Sequence, residues 1–283
     1  MRRKILILIA GWFLFLLSFS SVHAEDYQQL FQQASEYAQK SDFENAIKLY
    51  EKVIQMNPEF APAYNHLGLA YREVGLDPVE VAWYFKNAID IDPKFEDAYI
   101  NLGKSYYGLG YFDLAERNTL KALELNPNSD QAKLSLGWIY LLGKSSPTDA
   151  IGYFKEIVET YQNPSAYFGL GMAYFMIGEG PRTLECITKL REMQQDNLAT
   201  QLETVIRGYE YIPAQKNEPL LREADTREDP LSRPMQPQRS VSSGPVGPAQ
   251  ITVTGTIPVR LSGRLVPDLP PVTEEPKSGV LKR

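Results

Sequence analysis

The chain has 283 residues and a formal net charge of −6, and its charge is uneven, with 27 acidic against 16 basic side chains over residues 25–212. A segment this acidic repels a phosphate backbone, which is bound by Lys and Arg that displace counterions, so the composition argues against nucleic acid as a partner. Two histidines, His23 and His66, and one cysteine, Cys186, supply neither a thiol and imidazole metal cluster nor an internal disulfide.

The first segment, residues 1–24, runs from a basic start at Arg2 to Lys4 through an apolar stretch, Ile5 to Phe19, to the small and polar end Val22-His23-Ala24. This order predicts a secretory signal peptide cut between Ala24 and Glu25. The alternative is an uncleaved anchor, but the apolar stretch of 15 residues is shorter than the roughly 20 needed to span a bilayer. The expectation is an exported protein, periplasmic or extracellular after cleavage.

From residue 25 to 212 one pattern recurs: an aromatic or Lys, two residues, Leu-Gly, two residues, Tyr. It stands at Tyr64, Leu67, Gly68 and Tyr71; at Tyr99, Leu102, Gly103 and Tyr106; at Lys133, Leu136, Gly137 and Tyr140; and at Tyr167, Leu170, Gly171 and Tyr174. The Leu-Gly pairs fall 35, 34 and 34 residues apart, and a weaker copy lies 34 residues before the first, at Leu30, Gln33, Ala34 and Tyr37. Each copy is followed by a second half containing Ala46, Tyr50 and Pro58; Val81, Phe85, Ala88 and Pro93; Ala115, Thr119, Ala122 and Pro127; or Ala150, Phe154 and Ile157.

The spacing places a large residue beside a gap on one helical stripe, so a paired helix can approach closely. Gly75, Gly110 and Gly178 stand where a left-handed cap ends the first helix, and Pro58, Pro93 and Pro127 end the second. The pattern resembles the tetratricopeptide repeat over about residues 26–211. The resemblance implies an all-α, right-handed superhelical solenoid with repeats at about 27–60, 61–95, 96–129, 130–163 and 164–196. Two departures are expected to alter the stacking of the last repeats: a longer second half in the fourth, ending at Pro164, and no closing proline in the fifth. A cap helix, Leu198 to Tyr211, is predicted after Asn197 as N-cap, shielding the last apolar face.

Residues 213–283 hold 12 prolines and no Phe, Tyr or Trp. Such a stretch buries too little apolar surface to offset its backbone entropy and is expected to be a disordered tail. Within it, Ile251 to Val266 alternates β-branched and polar residues and reads either as a spacer or as a strand able to pair with a partner's sheet edge.

No catalytic constellation stands out. Gly169-Leu170-Gly171 and Gly178-Glu179-Gly180 fall at repeat positions that need glycine and are not phosphate loops, and His66 has no nucleophile at a telling spacing. No cofactor, metal or small-molecule substrate is expected. In solenoids of the family it resembles, positions two, five, nine, twelve and thirteen of each first helix line a groove for an extended peptide. Carried onto this sequence, the resemblance nominates Asn65, Arg72, Ile100, Lys104, Tyr107, Leu134, Trp138, Leu141, Phe168, Met172 and Phe175, polar early and apolar late. It implies a non-enzymatic scaffold or assembly factor of the cell envelope that binds an apolar or amphipathic protein segment, with homo-oligomerisation possible. The alternative is a periplasmic, holdase-like chaperone.

Overall fold

In a computed structural model the described residues are 27–210, 227–232, 260–261 and 264–265. The signal peptide and most of the tail expected from the sequence lie outside them. The first of two compact units comprises residues 1–139 and 222–233, the second residues 140–221 and 234–283.

In the first unit seven helices follow one another: α1 (27–39), α2 (Phe43–Met56), α3 (Ala61–Glu73), α4 (Pro78–Ile91), α5 (Glu96–Gly108), α6 (Phe112–Leu125) and α7 (Asp130–Trp138). Each of α2 to α6 packs on the next. Their starts are set by local chemistry, since Asp42, Asp77 and Ser129 accept backbone N–H groups of the first turns of α2, α4 and α7. Their stops are set by the residue before proline. Asn57, Asp92 and Asn126, the C-caps of α2, α4 and α6, are extended, because proline disfavours the helical conformation in its predecessor.

The core is built as the repeat pattern implies. Tyr50, Phe85, Leu67 and Leu102 lie in one cluster with Ala46, Ala82 and Ala115, all buried. A Cβ placed on Gly68 would come within 2.9 Å of Phe85 Cε1, so the gap in the Leu-Gly pair is where α4 meets α3. At Gly103 the facing residue is Thr119, whose hydroxyl is spent on the Ala115 carbonyl at 2.8 Å. Gly75 and Gly110 have φ of 79° and 77°. In the first repeat the equivalent residue is Ser41 with φ 59°, a left-handed conformation that a residue bearing Cβ adopts at a cost. The turns close alike: Leu76 N–H donates to the Tyr71 carbonyl at 3.0 Å and Tyr111 N–H to that of Tyr106 at 2.8 Å.

The second unit contains α8 (Pro147–Thr160), α9 (Pro164–Met176), α10 (Gly180–Glu192) and α11 (Asp196–Glu210), and α9 packs on all three others. Gly169 accommodates the Phe154 ring of α8, and Gly171 faces Leu202 of α11 and Cys186 of α10. The cap helix thus covers α9. It begins at Asp196, earlier than expected, and Asn197 lies inside it rather than capping it.

The fourth repeat departs from expectation in an instructive way. Its second helix is no longer than the others: α8 has 14 residues, as do α2, α4 and α6. The extra residue sits in the first half, where α7 gives way to a π-helical turn, Ile139–Gly143. The left-handed residue then falls at Ser145 (φ 54°), eight residues after Gly137 instead of seven. The closing bond, Ser146 N–H to the Tyr140 carbonyl at 2.8 Å, is likewise one residue longer. A loop shortened to residues 161–163 before α9 restores the period of 34.

Two pieces of the tail are described. Arg260–Leu261 pairs antiparallel with Arg264–Leu265, Arg260 opposite Leu265, inside the segment whose alternation reads as strand. Residues 227–232, expected to be disordered, instead pack on α5 and α6.

Candidate partner-binding surface

The groove residues nominated by the sequence separate sharply on burial. In the first unit Ile100 is 1 % exposed and closes a small cluster with Ala122 of α6 and Ala132 of α7. Asn65 is buried too, its Oδ1 accepting the Asn101 side-chain amide at 2.9 Å across two repeats, which satisfies both polar groups in the interior. Neither offers surface to a partner. Arg72 is exposed and paired with Glu73 at 3.1 Å. Lys104, Tyr107, Leu134 and Trp138 are half-buried, and Tyr107 meets Phe112 edge to face at 5.7 Å.

In the second unit Leu141, Phe168 and Met172 are all buried, and of the nominated residues only Phe175 is partly open. For Phe168 and Met172 the reason is helix geometry: α9 is apolar on every side and α8, α10 and α11 pack on it, so positions that would face a groove elsewhere are interior here. Of the nominated residues, those with accessible surface are Arg72, Lys104, Tyr107, Leu134 and Trp138 in the first unit and Phe175 in the second. Apolar side chains that do reach solvent in this unit are others, Tyr161 (57 % exposed), Ile177 (42 %) and Leu184 (62 %).

Among the described residues the largest shifts of titratable groups come from burial. Burial pushes the Cys186 thiol up to about 12, so it stays protonated and inert. The Tyr71 and Tyr106 hydroxyls are held above the usual tyrosine range, first by burial and then by donating to carboxylates, Glu51 at 2.6 Å and Asp229 at 2.8 Å. His66 lies in an aromatic group, edge to face with Phe31 at 5.1 Å and tilted against Tyr50 at 5.7 Å. Among the described residues no three His, Cys, Asp or Glu side chains converge as a metal site, and no helix is long and apolar enough to cross a membrane.

Sequence reasoning missed one contact surface. Arg227 lies over the Tyr111 ring at 4.0 Å and donates to the Gly110 carbonyl, Asp229 accepts from Tyr106, and Leu231 joins the core cluster of the first unit. The signal available in the sequence was slight: an Arg, an Asp-Pro and a Leu in a polar, proline-rich stretch.

Family models for the TPR repeat and the tetratricopeptide repeat match residues 34–75 and 96–129. The chain is a tetratricopeptide-repeat protein. Solved structures agree in fold: a tetratricopeptide repeat protein of Parabacteroides merdae (TM-score 0.56, 18 % identity, 65 % of this chain and 73 % of that one) and PilF of Pseudomonas aeruginosa (0.54, 17 %, 67 % and 95 %). YrrB, a TPR protein with an unusual peptide-binding site, gives 0.50 at 22 % identity over 62 % of this chain and 90 % of its own. Serine/threonine-protein phosphatase 5 of Rattus norvegicus and of Mus musculus is 32 % identical over 121 residues, 38 % of this chain. The chain spans about a fifth (21 %) of the length of these curated relatives. A TPR fold is in general an interaction scaffold, and such repeats are typically non-catalytic.

Proposed function

We propose that this TPR protein is a non-enzymatic scaffold or assembly factor of the cell envelope, holding a segment of a partner protein against the inner face of its first helices. The observation that supports it most is the partly open set on those helices in the first unit, Arg72, Lys104, Tyr107, Leu134 and Trp138, two of them cationic and two aromatic. Such a set suits an amphipathic segment, with Tyr107 and Trp138 as anchors for its apolar side and the cations for acidic residues flanking it. Export, expected from residues 1–24, would place the partner outside the cytoplasm.

The exposed Tyr161, Ile177 and Leu184 favour a second reading, a holdase-like chaperone that shields apolar segments of exported clients. In-cell photocrosslinking with a photoreactive residue at position 107, and separately at 184, tests both. One distinct envelope protein trapped at 107 supports the scaffold; a broad set of unrelated exported proteins at 184 supports the chaperone and overturns the scaffold.

A further inference from the structure

Residues 227–232 occupy a shaped site on the first unit. Asp229 Oδ1 accepts the Tyr106 hydroxyl at 2.8 Å and the Leu231 backbone N–H at 2.9 Å, while Ser232 N–H donates to the Asp229 carbonyl at 2.9 Å. Asp-Pro-Leu-Ser is thus a β-turn with proline at its second position, a conformation largely set before it docks. Its apolar side chain is held firmly: Leu231 is 7 % exposed within the main core cluster. Its cation is held twice, by the Tyr111 ring and the Gly110 carbonyl.

The neighbouring repeat shows why the site is open to an outside carboxylate. Tyr71 donates to Glu51 of α2, 20 residues earlier in the chain. The residue 20 before Tyr106 is Lys86, whose ammonium engages Asp90 at 2.7 Å. No acid from α4 stands where Glu51 stands, and the carboxylate comes from Asp229 instead. The site also uses a different side of α5 from the inner face: Tyr106 lies about 100° around the helix from Tyr107 and about 160° from Lys104.

We propose that the edge formed by Tyr106, Gly110, Tyr111 and α6 is a second peptide-binding site, which recognises an Arg-x-Asp-Pro-Leu turn and is filled in the resting chain by Arg227–Ser232. Tethering gives the resident a millimolar effective concentration, so an intrinsically weak site stays filled until a stronger ligand of the same chemistry displaces it.

The test uses the full chain with the segment's side chains removed, R227A/D229A/L231A, and a fluorescent peptide of residues 222–234. The vacated variant should bind the peptide saturably, and wild type at least about tenfold more weakly because its own segment competes. A peptide with Asp229→Ala should lose about tenfold. Equal binding by the variant and wild type, or indifference of the variant to the alanine peptide, overturns the proposal. Should the triple variant fail to fold by circular dichroism, Tyr106→Phe in the otherwise native chain decides: faster tryptic cleavage after Arg227 upholds the site, and an unchanged rate overturns it. Neither readout depends on a partner at the inner face.

Discussion

Gly68 and Phe85 offer a direct test of how the repeat is packed. A Cβ on Gly68 would stand 2.9 Å from Phe85 Cε1, 3.2 Å from its Cδ1 and 3.1 Å from Tyr84 Cβ, and the Phe85 ring is fully buried. In the native background Gly68→Ala therefore sets overpacking of about 1–3 kcal/mol against the gain of roughly 1 kcal/mol that alanine brings mid-helix, a net loss of up to about 2 kcal/mol. Phe85→Ala by itself should cost about 3–5 kcal/mol. Removing the ring removes the contacts at 2.9 and 3.2 Å, so Gly68→Ala in the Phe85→Ala background should be neutral or stabilising by up to about 1 kcal/mol. The two changes then couple by about 1–3 kcal/mol, inside the range for touching residues. Urea unfolding of the four proteins, followed by circular dichroism with equal m-values, measures this. If the two losses add to within about 0.5 kcal/mol, ring approach is not the reason for the glycine, and the packing account fails.

Ser41→Gly and Ser145→Gly should each stabilise by about 0.5–1 kcal/mol in thermal or urea unfolding, because φ of 59° and 54° strains a residue with a Cβ; a loss would refute it. Asn101→Ala strands the buried Asn65 carbonyl and should cost about 1–3 kcal/mol, whereas a surface position such as Glu124 should tolerate alanine within about 0.5 kcal/mol. Cys186 should resist a thiol reagent at pH 8 in the folded protein and react at once in urea. Because its folded value, about 12, lies above the ordinary 9, the neutral thiol's contribution is complete below pH 9 and is lost as pH rises toward 12. Cys186→Ala should therefore flatten the alkaline fall in stability relative to wild type.

The repeat was legible because its signals are local and redundant. Leu-Gly with Tyr, a glycine seven residues on and an Asn-Pro or Asp-Pro after the second helix each constrain the backbone by themselves, so the alternation of first and second helices could be read from them. The fourth repeat was not, because its period of 34 hides two compensating changes: one residue added as a π turn at Ile139–Gly143 and one removed from the loop before Pro164. Spacing between Leu-Gly pairs is blind to a change that cancels. The groove assignment rested on positions counted along each helix, and counting cannot register that α9 is enclosed by α8, α10 and α11. Phe168 and Met172 are interior for that reason, and Ile100 because Ala122 of α6 and Ala132 of α7 close over it, although their places in the helices suit a lining. The docked segment escaped because it depends on a long-range absence, the missing acid opposite Tyr106, which no window around residue 229 contains.

That absence bears on how the protein sorts its ligands. On the proposed reading the inner face keeps aromatic and cationic side chains in a partly open array, which takes an amphipathic segment by shape and charge and tolerates variation in sequence. The Tyr106 edge is different, since a carboxylate must meet a buried hydroxyl, a cation must meet a ring and a carbonyl, and a leucine must fill the core, all from one five-residue turn. Losing any one leaves a polar group or an apolar pocket unfilled, which makes such a site selective even when weak. A resident segment protects it from casual occupants without closing the inner face. On the same reading, selective displacement at Tyr106 leaves a partner held at Tyr107 and Trp138 undisturbed.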